Sequence, residues 1–261
     1  MINFRRVWAV VLRDAITLRH SLDRLSDMFY WPIMDLLIWG LTGLYIVNQT
    51  ENPTLLSVML TGLIFWLVIW RSQYEMNITL LSELWDRNLV NIFASPLTLT
   101  EWLTSSLIFG FIKLIVSITL SAVLAFFLYS FNVFLYGPWL LPFVISLLLT
   151  GWIVGFIVAG LIIRFGQTIQ ALAWSGVFIL APFSALYYSL TTLPSWAQTI
   201  ASFVPPSYVF EGMREILFTG SVSYDKILVS FALNIVYLVL SILFFVFMFN
   251  QSRKLGLGRL V

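Results

Sequence analysis

Long apolar runs separated by short polar stretches dominate the chain from residue 28 onward. A bilayer core about 30 Å thick needs roughly 20 helical residues to cross it. Six segments approach or exceed that length. We predict membrane spans at about 28–47, 55–80, 103–131, 139–163, 169–187 and 227–249. The hydropathy pattern therefore predicts an all-α membrane protein with six transmembrane helices.

The first 26 residues show a different pattern. Apolar side chains recur at alternating spacings of four and three from Phe4 to Leu22, and basic residues such as Arg6 and Arg13 occupy the other face. A basic amphipathic helix that contains tryptophan is typical of the membrane interface, although a solvated helix would show the same spacing. Charged residues interrupt the apolar positions, so we expect no cleavable signal peptide.

Residues 188–225 form neither a span nor a simple loop. Pro194 begins one short helical run, and Pro205-Pro206 begin a second that ends near Gly220. Proline in the first turn and glycine after the last are typical of helix ends. Each run is too short to cross a bilayer. We predict a re-entrant helical hairpin at about 194–219, which enters the outer leaflet and returns.

The link between the second and third spans is also predicted to be helical. An apolar stripe runs through residues 83–94, and Ser95-Pro96 ends it. Thr98 and Glu101 then have the spacing of a capping box, in which each side chain accepts a hydrogen bond from the other residue's backbone N–H. A short helix therefore leads directly into the third span.

Composition supports membrane insertion, because only 10% of residues are charged and 60% are hydrophobic. Soluble domains carry about 25% charged residues. Basic residues concentrate in the loops of the cytoplasmic side of membrane proteins. With the N-terminus inside, that side holds Arg5, Arg6, Arg13, Arg19, Arg24, Arg87, Arg164, Arg253, Lys254 and Arg259. The opposite side holds Arg214 and Lys226. We expect a transmembrane domain over 27–250 and a cytoplasmic tail over 251–261.

Few residues could support chemistry. The chain has no cysteine and one histidine, His20, so we expect no thiolate or multi-histidine metal site. No G-x-x-x-x-G-K-[ST] loop is present, and we expect no nucleotide site of that kind in the chain. We predict that the protein is not an enzyme and has no nucleic-acid partner.

Charges inside the predicted spans are the main functional candidates, since each costs at least about 2.5–3.5 kcal/mol at mid-membrane. Asp35 has no obvious partner. Arg71 and Glu75 can pair at a spacing of four, and they either line a polar path or only neutralise each other. We expect Lys113 to extend to the inner headgroups. Aromatic residues form either interfacial belts or a stacking surface for sugar rings or an aromatic drug-like substrate.

Three segments carry a resemblance to a known family. They are Ala94-Ser95-Pro96 after the second span, Tyr187–Pro194 after the fifth, and Glu211-Gly212-Met213-Arg214 beyond it. Together with the amphipathic first helix and six spans, their order resembles the ABC-2 type permeases of type V ABC exporters. The resemblance covers essentially the whole chain. One departure is the Arg71–Glu75 pair, in a span that is usually less charged in that family.

The resemblance implies a permease without a bound cofactor, which pairs with a second permease copy and with two separate ATPase subunits that hold ATP and Mg²⁺. It implies that residues 83–94 are the coupling helix, which docks on the ATPase. Its contact residues would be Trp85, Asp86, Arg87, Leu89, Phe93 and Pro96. The Thr98–Glu101 cap would pass motion into the third span. The candidate path or gate residues are Tyr30, Asp35, Arg71, Glu75, Tyr187, Tyr188, Glu211 and Arg214.

The expected function is export of an amphipathic substrate, a lipid-linked glycan or a drug-like molecule, across a bacterial cytoplasmic membrane, with both termini inside. One alternative is an intramembrane enzyme that acts on lipids and uses Asp35, Glu211, Arg214 and Glu215. Another is an ion-coupled secondary transporter, although such folds often contain internal repeats and none is evident here.

Overall fold

The structure, a computed structural model, describes residues 2–255 apart from the side chains of Asp23, Val90 and Phe93. Most of the predicted tail over 251–261 lies outside these residues. Helices α1 to α10 are Phe4–His20, Leu22–Thr50, Thr54–Trp85, Leu89–Ala94, Leu99–Tyr129, Leu140–Phe165, Leu172–Ser175, Ser195–Ala201, Pro205–Thr219 and Tyr224–Lys254. Short 3-10 segments lie at Val133–Trp139, Gly166–Ile169, Gly176–Ile179, Ala181–Phe183 and Leu190–Thr192. No strand occurs in this described range.

Five of the six predicted spans correspond to long helices. Within the described residues, α2, α3, α5, α6 and α10 are long and apolar enough to cross a membrane. The helix predicted over residues 1–26 is shorter than expected. It ends at His20 because the side chain of Ser21 accepts a hydrogen bond from the Arg24 N–H and caps α2 instead.

Helix α3 is the most enclosed part of the bundle and packs against α2, α5 and α6. Lipid tails are as apolar as leucine, so helices associate in a bilayer through close packing and interhelical hydrogen bonds. Gly151 of α6 shows this close approach: a Cβ there would lie 2.6 Å from the Ile69 carbonyl oxygen and 2.5 Å from the Ser72 Cβ.

Helices α6 and α10 are joined by a buried polar network. The Asn234 amide donates to the Ser146 carbonyl at 3.0 Å and accepts from the Thr150 hydroxyl at 2.8 Å. The Ser146 and Ser230 hydroxyls lie 2.7 Å apart, and Ser230 also donates to the Pro205 carbonyl at 2.9 Å. The network therefore connects α9 to this helix pair as well.

The predicted fifth span over 169–187 is not one continuous α-helix. It consists of the four-residue helix α7 between short 3-10 turns, and we call residues 166–189 the broken segment. Gly166, with a φ of 72°, ends α6. Pro182 has no N–H to continue a helix, and Ala185 adopts a left-handed φ of 56°. Apolar composition alone predicted a span and did not reveal these breaks.

The broken segment runs along α3. The Trp85 indole N–H donates to the Gln170 side chain at 3.2 Å, and farther along the segment the Leu186 carbonyl packs against Gly62. These two contacts are separated by about 35 Å of helix α3 at 1.5 Å per residue. The segment therefore extends over a length comparable to a bilayer core.

We expect Gly151→Ala to destabilise the protein by about 1–3 kcal/mol, because the added methyl group would meet backbone of α3 and force the helices apart. Gly155→Ala is the matched control, since its nearest contact would be the flexible Met76 side chain at 3.1 Å. Thermal unfolding in detergent measures both. Equal midpoints for the two variants would contradict the close α3–α6 packing.

Candidate functional site

A cavity of about 540 Å³ opens among α2, α3, α5 and the broken segment, and we call it the Trp chamber. Most of its lining is aromatic or aliphatic. The lining residues are Asp27, Trp31, Pro32, Asp35, Trp39, Leu63, Ile64, Trp66, Leu67, Trp70, Ser121, Trp174, Phe178, Ala181, Leu186 and Tyr187. A cavity of this size and character, with a few polar groups, is typical of small-molecule sites.

Aromatic pairs join the walls of the Trp chamber. Trp39 of α2 stacks on Tyr187 of the broken segment with ring centroids 5.2 Å apart and planes 23° from parallel. Trp66 of α3 lies 5.9 Å from Phe178. These contacts place flat, polarisable faces around the cavity.

Two carboxylates line the Trp chamber, and their surroundings differ. Asp27 accepts a hydrogen bond from Arg71 at 3.0 Å, and the same contact is an ion pair. Asp35 is half-buried and has no hydrogen bond or ion pair with any residue that the structure describes. Asp35 is therefore a carboxylate in an apolar cavity, with no counter-charge among these described residues.

A second cavity of about 470 Å³ lies beside the first and contains many more charged groups; we call it the charged chamber. The two cavities share Asp27, Trp31 and Trp174. The charged chamber is also lined by Asp14, Leu18, Arg24, Ser26, Tyr30, Tyr74, Glu75, Ile78, Thr79, Ser82, Trp85, Phe109 and Lys113. Burial raises the pKa of Asp14, and Arg13 partly offsets that effect.

Four ionised side chains meet at the boundary of these cavities. Arg71 has no exposed surface, and its guanidinium contacts Asp27 at 3.0 Å and Glu75 at 3.1 Å. The second Glu75 oxygen accepts from Lys113. The formal charges of this buried ion cluster cancel. Buried ions are stable only when they are paired and hydrogen-bonded, so the cluster requires α2, α3 and α5 together.

The cluster confirms the predicted Arg71–Glu75 pairing and corrects the prediction for Lys113. Lys113 is only 6% exposed and pairs with Glu75 instead of extending to the headgroups. The second carboxylate oxygen of Glu75 faces α5 and accepts from the Lys113 ammonium group. This pairing offsets the loss of hydration that burial imposes on the ammonium group. Asp27 was missed because it precedes the first predicted span by one residue.

The other predicted path residues do not converge on one site. Tyr30 lines the charged chamber, whereas Asp35 and Tyr187 line the Trp chamber. Arg214 donates to the Ala185 carbonyl at 2.6 Å and to Glu211 at 2.9 Å. Glu211 and Arg214 therefore stabilise the end of the broken segment and line neither chamber.

Tyr188 has a similar bracing position, since its hydroxyl donates to the Pro182 carbonyl at 2.6 Å. It lines neither chamber either.

In the part of the chain that the structure describes, no group of three or more histidine, cysteine or acidic residues is arranged to hold a metal ion.

The helix predicted over 83–94 is divided in two. Helix α3 ends at Trp85, and α4 begins at Leu89. The turn between them is a Schellman motif: the Asn88 N–H donates to the Glu83 carbonyl at 2.9 Å and the Arg87 N–H to the Leu84 carbonyl at 3.2 Å. Arg87 takes the left-handed position, with a φ of 53°. Glycine usually marks this position, and its absence hid the break in the sequence.

This turn presents polar residues and encloses an apolar one. Asp86 and Arg87 in the turn are exposed, and Trp85 at the end of α3 is 43% exposed. Pro96, which follows α4, is exposed as well. Leu89 is fully buried against the core, so its side chain is not available as the predicted surface anchor. The side chain of Phe93 lies outside the described residues.

The predicted capping box at the start of α5 is present. The Thr98 N–H donates to Glu101 at 2.9 Å, and the Glu101 N–H donates to the Thr98 hydroxyl at 3.3 Å. The other Glu101 oxygen accepts from the Asn3 N–H at 2.8 Å, and Arg6 donates to the Pro96 carbonyl at 2.6 Å. The cap thus also holds the beginning of α1.

Helix α1 is held at a second point as well. Arg13 pairs with Asp14 at 2.8 Å and reaches Glu83 at the end of α3. Phe4 and Trp8 are 76% and 53% exposed, whereas Val7 and Val11 are buried. The predicted helix therefore packs through one narrow face and leaves large apolar side chains free.

We expect Glu75→Gln to destabilise the protein by about 3–5 kcal/mol, because it leaves two buried cations with one carboxylate. Combining it with Lys113→Met restores neutrality and should recover much of that loss. Unfolding in mixed micelles measures both variants. Losses that simply add in the double variant would contradict the coupling between α3 and α5.

Comparison with known proteins identifies the family to which this chain belongs. Residues 7–218 match the family model described as ABC-2 type transporter. No functionally curated protein gave a significant match. The matched region begins in α1 and continues through both chambers, the capping box and α9. Since the match covers most of the chain, the protein belongs to the ABC-2 type transporter family, whose members are membrane permeases of ABC transporters.

Proposed function

We propose that the protein is the permease subunit of an ATP-driven exporter, which moves an amphipathic substrate, a lipid-linked glycan or a drug-like molecule, out across a bacterial cytoplasmic membrane. The family match carries this proposal. The Trp chamber supports it, because its walls offer both apolar surface and a carboxylate to an amphipath. Family membership implies an ABC ATPase partner.

In this proposal two ATPase subunits bind ATP and Mg²⁺, and the chain itself binds no cofactor. A second permease copy, most simply an identical one, would complete about twelve crossings. Helices α2, α5 and α10 support such pairing or lipid contact, since each leaves a broad apolar surface exposed.

The broken segment is the sixth crossing in this topology. Its length along α3 supports that assignment, and so do the side chains that donate to its carbonyls. Gln73 donates to the Ala173 carbonyl at 2.8 Å, and Trp70 donates to the Trp174 carbonyl at 3.3 Å. Irregular backbone is tolerated at membrane depth only where protein or water satisfies it. Both termini would then be cytoplasmic, with α8 and α9 forming the re-entrant hairpin at the outer side.

The ATPase would contact the turn between α3 and α4, where Trp85, Asp86 and Arg87 are accessible, and the exposed Pro96 that follows α4. Motion there would reach α5 through the Thr98–Glu101 cap. Because Glu101 also holds the Asn3 N–H, α1 would move with the same unit.

The alternative of a lipid-acting enzyme receives no support from the arrangement of its candidate residues. Asp35 lines the Trp chamber, whereas Glu211 pairs with Arg214 at 2.9 Å and Glu215 with Lys226 at 2.6 Å. The acidic groups therefore do not meet at one reacting centre.

Affinity purification of the tagged protein from membranes of its own host should recover an ABC ATPase. We expect Arg87→Glu to reduce that recovery about fivefold, a loss of about 1 kcal/mol in binding. Arg253→Glu makes the same charge change at the exposed end of α10 and should leave recovery unchanged. Membranes that yield no ATPase with the unaltered protein would contradict the exporter assignment.

Glu101→Gln should separate ATPase binding from transport. The amide nitrogen cannot accept a hydrogen bond, so the cap loses either the Thr98 or the Asn3 N–H, at a cost of about 1–2 kcal/mol. We expect normal ATPase recovery but more ATP hydrolysed per molecule transported. Thr98→Ser, which keeps the cap hydroxyl, is the control. If Glu101→Gln hydrolysed the same number of ATP molecules per molecule transported as the unaltered protein, motion would not pass through the cap.

A further inference from the structure

We infer that the Trp chamber selects a monocationic amphipath with a flat or bulky apolar body, and that Asp35 is its counter-ion. The inference rests on the proposed export function and narrows its substrate class. Three observations on this chamber lead to it: the pairing of its two carboxylates with cations, the arrangement of its aromatic rings and the small number of its polar groups.

The charges of the chamber favour one cation. Asp27 is already neutralised by Arg71 at 3.0 Å. Asp35 has no cationic partner among the residues that the structure describes. An unpaired carboxylate in an apolar membrane cavity is costly. A ligand with a single positive charge would neutralise it without disturbing the ion cluster.

The aromatic rings favour the same ligand. The Trp39–Tyr187 stack lies in the same lining as Asp35, and Trp31 and Trp66 complete the surrounding walls. The faces of such rings carry negative electrostatic potential and attract cations, most strongly at tryptophan. Their area also suits flat apolar groups. The cationic group of the ligand and its apolar body are thus recognised by adjoining surfaces of the Trp chamber.

The scarcity of polar groups argues against a glycan in this cavity. Each sugar ring brings several hydroxyls, and a hydroxyl that is buried without a hydrogen-bond partner costs free energy. Besides the two carboxylates, the polar lining consists of Ser121, the Tyr187 hydroxyl and the indole N–H groups. Of these, the Trp70 N–H already donates to the Trp174 carbonyl. A cationic amphipath needs only the one charged partner.

The test uses the purified full-length protein in lipid nanodiscs and follows its tryptophan fluorescence. Tetraphenylphosphonium and tetraphenylborate are the probes, because they share shape and apolar area but carry opposite charges. We expect saturable quenching by the cation and at least about tenfold weaker binding of the anion. Asp35→Asn should weaken cation binding about tenfold, whereas Asp35→Glu should retain most of it.

Asp225→Asn is the matched control, since it removes an exposed carboxylate at the start of α10, and it should bind the cation as the unaltered protein does. Thermal unfolding identifies any variant that fails to fold. Trp39→Leu provides a second test and should weaken cation binding severalfold while leaving Asp35 in place. Equal affinity for both probes, or unchanged cation affinity in Asp35→Asn, would overturn the inference. No ATPase is needed, so that result would leave the exporter proposal to the purification test.

Discussion

The bundle depends on the neutralisation of Arg71, a guanidinium with no exposed surface at the centre of α3. An ion removed from water loses several kcal/mol of solvation, and only well-placed partners compensate. Asp27 of α2 and Glu75 of α3 itself neutralise Arg71, and Lys113 of α5 pairs with the second oxygen of Glu75. A shift of any one helix along its axis would leave a charge unpaired. The cluster therefore fixes the register of the three helices that line both chambers.

The broken segment provides the remaining wall. A continuous α-helix would have hydrogen-bonded its own carbonyls and presented a regular surface to α3. The turns around Pro182 and Ala185 instead bring Leu186 against Gly62 and Tyr187 against Trp39. A Cβ on Gly62 would lie 2.9 Å from the Leu186 carbonyl oxygen, so this approach requires glycine. The shape of the Trp chamber thus follows from an interruption of helical structure within a strongly apolar stretch.

Local signals in the sequence predicted local structure well. Apolar run length predicted six spans, five of which are long helices, and the Thr98–Glu101 spacing predicted the cap. Proline and glycine placed α8 and α9. These local signals failed to predict features that depend on contacts between residues far apart in the sequence. Lys113 pairs with a residue 38 positions away, which no spacing rule reveals. Arg87 takes a left-handed conformation without glycine. Three carbonyls of the fifth apolar run accept hydrogen bonds from side chains of other helices. Asp35 was a candidate because of its charge, but its cavity is a tertiary property.

The external hydrogen bonds of the broken segment limit how it can move. An ordinary membrane helix carries its backbone bonds with it and can slide or rotate past its neighbours as a rod. Here Trp70, Gln73 and Arg214 donate to carbonyls at fixed positions of the segment. Any sliding would expose all three carbonyls at once, at about 1–3 kcal/mol each until new donors are met. We therefore expect this wall of the chamber to move between discrete positions separated by barriers instead of deforming gradually.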